Sequence, residues 1–297
     1  MSTLLKTELP NLLHRGKVRD IYDLGDTLLI VATDRLSAFD VVLPTGIPTK
    51  GIVLNELSAF WFRETASIVP NHFVALGRER AKLQGAARDL PEDIARRAML
   101  VKKAKPVLVE CVVRGYISGS AWAEYKNHGT VGGMSMPSDL RESEKLPSIM
   151  FTPTTKASKG HDENISMTQV EEMVGKKTAK TLKDTSLAIY EFAHDSAFAK
   201  GIVIADTKFE FGFIGEKLIL IDEVLTPDSS RFWSVKDYKV GRAQDSFDKQ
   251  IVRDWLLHSG WSKEPPAPAL PQDVVDKTAT RYQEVFERLT GTTLNAA

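Results

Sequence analysis

The strongest constraint on the fold is a run of alternating charged and apolar residues, IVIADTKFEFGFIGEKLILIDEVLTPDSSRFW, at positions 202–233. Successive side chains of a strand point to opposite faces, so Asp206, Lys208 and Glu210 share one face and the phenylalanines between them face a core. Glycines at positions 212 and 215 mark a turn before an apolar returning segment. The run therefore predicts a β-hairpin.

Closure of this hairpin would bring carboxylates from both of its strands together. The returning segment ends in Asp222 and Glu223, and the polar loop TPDSSR follows. Asp206 and Glu210 would then lie near Asp222, with Lys208 among them. Crowded carboxylates repel unless a cation or a proton lies between them, and hard oxygen ligands beside phosphates suit Mg²⁺. A sheet with a solvated polar face explains the same pattern, so the residues alone leave both interpretations open.

Charge and cysteine content exclude several classes of protein. The 39 Lys and Arg residues balance 39 Asp and Glu residues, so no overall field directs the chain to nucleic acid or to a membrane. The single cysteine, Cys111, excludes an internal disulfide and a multi-cysteine metal site. The N-terminal residues lack the apolar segment of a signal peptide, and no apolar run has the length of a membrane helix. We therefore expect a soluble, cytoplasmic protein in which local basic clusters hold any anionic ligand.

A small basic loop near the N-terminus is one such cluster. Gly16 lies between Arg15 and Lys17, and strands are predicted at 18–22 and 27–32. Basic side chains and free backbone N–H groups in such a loop suit phosphates, although most loops of this kind are simply solvated.

The segment 33–62 has an unusual composition. Arg35 and Ser37 stand between apolar runs that have no helical period, and prolines and glycines then punctuate a loop. A helix is predicted at 55–65 from the spacing of its apolar residues. The long polar loop is either a structural crossover or a functional segment.

Two later segments carry further basic candidates. Residues 99–114 predict two strands broken by a proline, and Arg114 at their end is either a partner in an ion pair between lobes or an anion ligand. Residues 151–164 are polar and carry Lys156 and Asp162, which predicts either a mobile surface loop or a flap that orders over a substrate.

Helical periodicity dominates the segment 178–200. Leu182, Ile189 and Phe192 recur at helical spacing and are predicted core positions. His194 in the same helix is predicted to have a packing or surface role, because no second His or Cys stands at a ligand spacing.

Further helices are predicted at three places. One helix begins near residue 166, where Ser166 and Thr168 are both candidate N-caps, and further helices are predicted at 246–257 and 273–290. Lys249 and Arg253 are four residues apart and therefore share one helix face.

Five motifs in order resemble one known family. They are GKVRD at 16–20, TDRLSAFD at 33–40, VRGYISGS at 113–120, DTKFEFG at 206–212 and LIDEVLTPDSSRFW at 220–233. Together they resemble the phosphoribosylaminoimidazole-succinocarboxamide (SAICAR) synthase family. The resemblance is collinear from about Gly16 to Trp255, and it is greatest to the single-function fungal and bacterial-type enzymes.

The resemblance implies an α+β class and a two-lobed SAICAR synthase-like fold with a nucleotide cleft like that of protein kinases or ATP-grasp enzymes. It implies an N-terminal lobe at 1–110 and a C-terminal lobe at 111–297. The implied reaction joins L-aspartate to the carboxylate of 5-amino-1-(5-phosphoribosyl)imidazole-4-carboxylate (CAIR), with ATP cleaved to ADP and phosphate. The implied partners are these small molecules and Mg²⁺, without nucleic acid or membrane, and we expect a monomer.

The resemblance also assigns residues. The implied catalytic residues are Asp206 and Lys208, and the implied Mg²⁺ ligands are Glu210 and Asp222. The implied ATP contacts are Arg15, Gly16, Lys17 and Val18 over the phosphates, and the backbone of Glu110 to Val112 against adenine at a hinge between lobes. The implied substrate contacts are Arg35, Ser37, Arg114, Ser120, Lys156, Asp162, Asp206, Lys208, Arg231 and Arg253.

The chemistry of this reaction accounts for these residue types. A carboxylate does not react with an amine at neutral pH, whereas an acyl phosphate formed by γ-phosphoryl transfer does. All three substrates are anionic, so Mg²⁺ and Lys or Arg side chains would offset their repulsion. Asp206 would either accept a proton or orient the substrate amine, and the residues alone leave both roles open.

Two other classes compete with the ligase interpretation. A kinase with the same cleft would carry HRD and DFG motifs and a multi-glycine loop, which this sequence lacks. A non-catalytic nucleotide-binding or scaffold protein would have no physical need to keep Lys17, Glu210, Asp222 and Arg231. A ligase requires two acceptor substrates, whereas a kinase requires one.

Overall fold

The computed structural model describes residues 3–156 and 162–294, which form two main β-sheets with helices packed around them. The strands are β1 (Leu12–Arg15), β2 (Arg19–Asp23), β3 (Thr27–Ala32), β4 (Ser37–Ala38), β5 (Val41–Val42), β6 (Phe73–Leu76), β7 (Ala98–Lys102), β8 (Lys105–Pro106), β9 (Val109–Tyr116), β10 (Thr130–Val131), β11 (Met134–Ser135), β12 (Lys145–Phe151), β13 (Thr154–Thr155), β14 (Ile202–Ile214), β15 (Lys217–Ile221) and β16 (Ser230–Ser234). The helices are α1 (Lys50–Glu64), α2 (Glu92–Ala95), α3 (Gly119–His128), α4 (Met167–Val174), α5 (Lys176–Ala199), α6 (Gln250–His258) and α7 (Gln272–Thr290).

The first sheet is antiparallel, with strand order β1-β2-β3-β7-β6. The predicted strands at 18–22 and 27–32 are confirmed as β2 and β3, which pair with Ile21 opposite Ile30. The helix predicted at 55–65 is confirmed as α1, although it begins earlier, at Lys50. The basic loop around Gly16 therefore connects two strands of this sheet.

The second sheet is organised around β14, a strand of 13 residues. Its first half pairs with β9 and β16, and its second half pairs with β15 and β8. The predicted hairpin is confirmed, because β14 and β15 are antiparallel with Glu210 opposite Ile221. This register places Glu210 next to the strand end from which Asp222 projects.

Helix α5 covers the second sheet with an apolar face. Leu182 and Ile189 are fully buried, as predicted. Phe192 is 39% exposed, so its predicted core position is wrong. At about 100° per residue it lies roughly 80° away from Leu182 around the helix, at the edge of the buried face. His194 packs beside the Tyr116 and Phe198 rings, which confirms its predicted packing role.

The other predicted helices are present with shifted boundaries. Ser166 caps α4 with a full capping box, because its hydroxyl accepts from the Gln169 backbone and the Gln169 side chain accepts from the Ser166 backbone. Helix α6 begins at Gln250 rather than at residue 246, and α7 begins at Gln272.

The two sheets share one hydrophobic core. Met99 of β7 and Cys111 of β9 belong to the same buried cluster. Helix α7 contacts α1, and Val274 packs in a second cluster with Leu36. The C-terminal helices therefore pack on the N-terminal part of the chain, and a lobe boundary at residue 110 stays a prediction. None of the helices in the described part of the chain combines the length and apolarity that a bilayer crossing requires.

Candidate active site

A cavity of about 800 Å³ lies where the basic loop, the β14–β15 hairpin and helix α6 meet. Segments that are far apart in sequence form its wall, so only the folded chain assembles it. The predicted site residues in this wall are Gly16, Lys17, Val18, Ser37, Glu110, Lys156, Asp162, Lys208, Glu210, Asp222, Arg231 and Arg253.

Glu210 and Lys208 form the centre of a charged cluster. The Lys208 Nζ lies 2.9 Å from a Glu210 oxygen and 2.6 Å from a Glu110 oxygen, and Lys156 forms an ion pair with Glu210. Burial lowers the pKa of Lys208, but Glu210 and Glu110 outweigh that effect, so its pKa lies above its usual value. Lys208 is therefore a permanent cation and a poor proton acceptor.

Asp222 lies at the end of β15 in a left-handed backbone conformation, with φ of 69°. The Arg19 guanidinium holds it at 2.6 Å. Burial raises the pKa of Asp222, but Arg19 and Lys208 lower it more, and the net direction is downward. Arg19 was missed as a site residue, and its only sequence signal is its place at the end of the basic loop.

Glu210 and Asp222 are placed to hold a divalent cation such as Mg²⁺ together. Both carboxylates line the cavity wall, and Mg²⁺ typically takes one or two carboxylates together with substrate phosphates. No group of three or more His, Cys, Asp or Glu side chains within the described ranges is arranged to hold a metal by itself. The surrounding cations, Arg19, Lys156 and Lys208, would remain to balance phosphate charge.

Asp206 is clamped between two arginines. Arg114 donates to it at 3.1 Å and Arg231 at 2.5 Å. Arg114 also donates to the Ser120 hydroxyl at 3.3 Å, at the N-terminus of α3. A Cβ on Gly119 would lie 2.1 Å from Arg231 Nη2, so the close approach of this guanidinium requires glycine. Arg231 lines the cavity, and Asp206 lies directly behind it as its ion-pair partner.

Two cations and one carboxylate leave this clamp with excess positive charge. The negative charge of Asp206 raises the pKa of Arg231, while burial lowers the pKa of Arg114. The helix N-terminus at Gly119 adds unpaired backbone N–H groups beside them. The arrangement can therefore bind a further anion such as a phosphate.

The basic loop presents Gly16, Lys17 and Val18 to the cavity. The loop is closed by a hydrogen bond from the Gly16 N–H to the Arg19 carbonyl at 2.8 Å. Lys17 reaches across the cavity mouth to Asp40, 2.5 Å away. The backbone of the basic loop and the side chain of Lys17 are placed to cover phosphates.

Arg35 lies behind this loop. It is not among the described residues that line the cavity. Its guanidinium donates to the carbonyls of Gly16 and Lys17 and to the carboxylate of Asp20. Arg15 also pairs with Asp20, at 3.2 Å, and is likewise outside the described wall. Both side chains support the loop, and the predicted substrate contact of Arg35 and phosphate contact of Arg15 stay predictions.

The predicted backbone contact of Glu110 to Val112 with adenine stays a prediction, and the strand pairing shows which of these backbone groups are engaged within the sheet. Both residues lie inside β9, which pairs with β14 on one side and with β12 and β13 on the other. The Val112 carbonyl accepts from the Thr152 N–H at 2.8 Å, so this backbone is already hydrogen-bonded within the sheet. The connection between the sheets lies earlier, at 103–108. The Glu110 side chain does line the cavity.

The predicted flap is only partly described. Phe151 ends β12 and Thr154 pairs with Glu110, so the beginning of the segment belongs to the sheet. Residues 157–161, the middle of the predicted flap, lie outside the described residues. Lys156 and Asp162, on either side of them, both line the cavity.

Helix α6 adds cations that sequence reasoning partly missed. Lys249 lines the cavity together with the predicted Arg253. Behind them Lys50, which is fully buried, pairs with Asp228 at 2.7 Å, and Tyr282 of α7 donates to the same carboxylate. Lys50 and Asp228 are 178 residues apart, and no local pattern marks either as a partner of the other.

Fold and site together define the class: a ligase that uses a nucleotide to couple small anionic molecules. A family model described as SAICAR synthetase matches residues 12–268, and the chain belongs to that family. Enzymes of this family join L-aspartate to CAIR with ATP in purine biosynthesis, and this chain is such an ATP-dependent ligase. The predicted family, the α+β SAICAR synthase-like fold and the reaction are confirmed.

Similar proteins cover the chain almost completely. A phosphoribosylaminoimidazole-succinocarboxamide synthase of Thermodesulfovibrio yellowstonii is 56% identical over 97% of this chain and 99% of its own length. One from Geobacter metallireducens is 53% identical over 97% of this chain and 98% of its own. The solved SAICAR synthase of Saccharomyces cerevisiae complexed with SAICAR is 45% identical, has a TM-score of 0.87, and covers 98% of this chain and 99% of its own.

Proposed function

We propose that this cavity transfers the γ-phosphoryl group of ATP to the carboxylate of CAIR and then directs the amine of L-aspartate to the resulting acyl phosphate. The observation that carries the proposal is the assembly of three parts in one place. The basic loop, the two carboxylates Glu210 and Asp222 of the hairpin, and the anion site formed by the arginine clamp all border the same cavity of about 800 Å³. Each part matches one requirement of the reaction.

The bond changes balance without a further reactant. A CAIR carboxylate oxygen attacks the γ-phosphorus, and ADP leaves. The aspartate ammonium loses one proton to give the amine, which attacks the acyl carbon, and the nitrogen releases a second proton to solvent as the amide forms. The carbon–oxygen bond then breaks, and inorganic phosphate leaves with the oxygen that came from CAIR.

ATP is proposed to bind with its phosphates under the basic loop. Lys17 and the backbone of Gly16 and Val18 supply positive charge and N–H donors there. Glu210 and Asp222 would hold Mg²⁺, which when bound neutralises phosphate charge as it develops. With the triphosphate of ATP under the basic loop, the part of the cavity beside the β14–β15 hairpin is left for CAIR, the acceptor of the phosphoryl group.

CAIR is proposed to bind with its phosphate beside Arg231 and the N-terminus of α3, which lie next to each other. Arg114 and Ser120 support that position, because Arg114 fixes the Ser120 hydroxyl and Asp206 together. Lys156 at the Glu210 side would attract the reacting carboxylate. Positioning of this kind, rather than covalent help, supplies most of the catalysis in such transfers.

Lys208 is proposed to act as a fixed positive charge. Its raised pKa keeps it protonated, so it stabilises negative charge on the transferring phosphoryl group rather than accepting a proton. Asp206, which accepts from two guanidinium groups, is proposed to orient substrate and to fix the arginines. Ser37 and Asp162 line the same cavity and are proposed as additional substrate contacts.

We further propose that the protein acts as a monomer in the cytoplasm. The single cysteine, buried and free at Cys111, supports the cytoplasmic part of this proposal, because a reducing compartment keeps thiols unpaired. Burial raises the pKa of the Cys111 thiol to about 12, so this thiol is unreactive in the folded state.

An ADP-release assay with omission of each acceptor tests the function. We expect steady ADP release only when CAIR and L-aspartate are both present, and product mass equal to SAICAR. ADP release at the full rate with CAIR alone, giving a stable phosphorylated product, would identify a kinase instead. Release that is independent of both acceptors would refute the assignment of this cavity to ligation.

A further inference from the structure

Strand β14 changes the face that it buries partway along its length. Ile202 and Ile204 belong to the main hydrophobic core, and so do Phe209 and Phe211. The first two positions are even and the last two are odd, whereas the side chains of an unbroken strand alternate strictly between its faces. The alternation of β14 therefore shifts by one residue between positions 204 and 209.

A β-bulge at Ala205 produces this shift. In the pairing of β14 with β16, Ile204 lies opposite Phe232 and Asp206 lies opposite Arg231, so Ala205 is an extra residue on β14. One extra residue turns every later side chain of a strand to the other face. The bulge therefore directs Asp206 away from the core and toward Arg231.

The charged residues beyond the bulge owe their positions to it. In an unbroken strand Asp206, Lys208 and Glu210 would follow Ile204 on the face that helix α5 covers. With the bulge, Lys208 and Glu210 line the cavity, and Asp206 pairs with Arg231. Charged groups turned into an apolar core would be very costly, so the site requires the bulge.

The hydroxyl of Tyr190 in helix α5 holds the two carbonyls of the bulge. It donates to the Ile204 carbonyl at 2.6 Å and lies 3.4 Å from the Ala205 carbonyl. Tyr190 is 1% exposed, so these contacts lie away from bulk water. A buried carbonyl without a donor is destabilising, and a bulge interrupts the strand pairing that would otherwise supply one. The Tyr190 hydroxyl makes up for that interruption.

Gly115 of the neighbouring strand β9 makes room for this hydroxyl. A Cβ at position 115 would lie 2.1 Å from the Tyr190 oxygen, and the Gly115 backbone is outside the left-handed region. The close approach of Tyr190, rather than the backbone conformation, therefore requires glycine there. Burial raises the pKa of the Tyr190 hydroxyl well above its usual value, and a hydrogen bond from the Gly115 backbone opposes only part of that rise. The hydroxyl thus stays protonated and remains a donor.

We propose that Tyr190 is a positioning residue for the arginine clamp, because its hydroxyl fixes the β14 bulge and the bulge fixes the direction in which Asp206 holds Arg114 and Arg231. The proposal rests on the proposed function in one respect, namely that this clamp binds the phosphate of CAIR. Tyr190 is not among the described residues that line the cavity. It therefore acts on substrate binding only through the backbone of β14.

Tyr190→Phe tests the role of the hydroxyl, because it removes one oxygen and keeps the ring. The Ile204 carbonyl loses its donor, the bulge moves to relieve it, and Asp206 moves with the bulge, so KM for CAIR should rise roughly 5- to 150-fold. KM for ATP should change less than about threefold, because the basic loop belongs to the other sheet and shares no partner with Tyr190. Ile189→Val, at the preceding buried position of α5, is the matched control. It should lower stability and leave KM for CAIR unchanged.

Gly115→Ala tests the same contact from β9. Its new Cβ would displace the Tyr190 hydroxyl, so KM for CAIR should rise in this variant too. The shortest contact of that Cβ is with the oxygen that Tyr190→Phe lacks, so Gly115→Ala should have a smaller effect in the Tyr190→Phe background than in the unaltered protein. Equal effects in the two backgrounds would contradict the role of the hydroxyl.

Amide hydrogen exchange separates this proposal from the proposed function, because it needs no substrate. The Ala205 and Asp206 amides belong to the two peptide units whose carbonyls the hydroxyl holds. In Tyr190→Phe their exchange should quicken roughly tenfold or more, while that of the Phe213 amide, near the other end of β14, should not change. This result decides whether Tyr190 holds the bulge, whichever anion the clamp binds.

The exchange and kinetic results together decide the proposal. Faster exchange at the bulge with a raised KM for CAIR is the expected outcome. Unchanged exchange of the Ala205 and Asp206 amides would overturn the proposal. A KM for CAIR that stays normal, or that rises no more than KM for ATP, would overturn it as well, because the hydroxyl would then have only a structural role.

Discussion

Replacement of Arg35 by alanine should weaken ATP binding without a specific effect on CAIR. The Arg35 guanidinium donates to the carbonyls of Leu5 at 2.6 Å, Gly16 at 2.9 Å and Lys17 at 3.2 Å, and to the buried Asp20 carboxylate at 2.8 Å. Two of these acceptors belong to the proposed phosphate loop. Arg35 is therefore a positioning residue for that loop.

The size of the effect follows from these contacts. Removing one partner of a buried charge pair costs about 3–5 kcal/mol. Asp20 would keep Arg15 and two hydrogen bonds from Thr7, so we expect the free energy of unfolding to fall by about 2–4 kcal/mol. Ordering two released loop residues costs about 1–2 kcal/mol each, so ATP should bind roughly 30- to 700-fold more weakly.

Urea unfolding and separate titrations of the three substrates provide the assay. Arg35→Lys should restore much of the stability, because its charge remains beside Asp20, but its single ammonium cannot bridge both loop carbonyls, so KM for ATP should stay raised. Arg88→Ala, at an exposed arginine, is the matched control. A rise in KM for CAIR with unchanged KM for ATP would refute the positioning role and return Arg35 to the substrate site.

Three further predictions concern the charged clusters. Glu210→Gln and Asp222→Asn should each lower turnover by orders of magnitude with unchanged circular dichroism, and near-normal activity would remove that residue from the proposed Mg²⁺ site. Arg114→Ala and Arg231→Ala should each weaken the binding of CAIR roughly 30- to 700-fold, or about 2–4 kcal/mol, and the binding of ATP far less. Equal weakening of CAIR binding and ATP binding would show that these arginines serve another ligand. Lys50→Met should lower the free energy of unfolding, measured in urea, by about 3–5 kcal/mol, because the buried Asp228 carboxylate loses its partner cation. A decrease below about 1 kcal/mol would contradict this role of Lys50.

Local periodicity made the central hairpin predictable. Alternation placed Asp206, Lys208 and Glu210 on one face, and the glycines located the turn, so the β14–β15 pairing followed without other information. Phe192 was misplaced because a spacing rule treats a broad arc of the helix as one face, whereas burial depends on where the neighbouring sheet ends.

Pairing between distant segments was not predictable. Arg19 and Asp222 are 203 residues apart, and each has ordinary surroundings in the sequence. The same limit applies at Glu110, because a buried strand and a hinge backbone look alike in sequence until the strands on either side are known. Position in the sheet, rather than residue type, decides which backbone groups are free.

The transfer of oxygen from CAIR to phosphate tests the central claim most directly. CAIR labelled with ¹⁸O in its carboxylate would be turned over with ATP and L-aspartate, and the inorganic phosphate examined by ³¹P NMR. Attack of that carboxylate on the γ-phosphorus predicts one labelled oxygen in each phosphate released. Phosphate without label, formed at the same rate as SAICAR, would contradict activation of CAIR by phosphoryl transfer in this cavity.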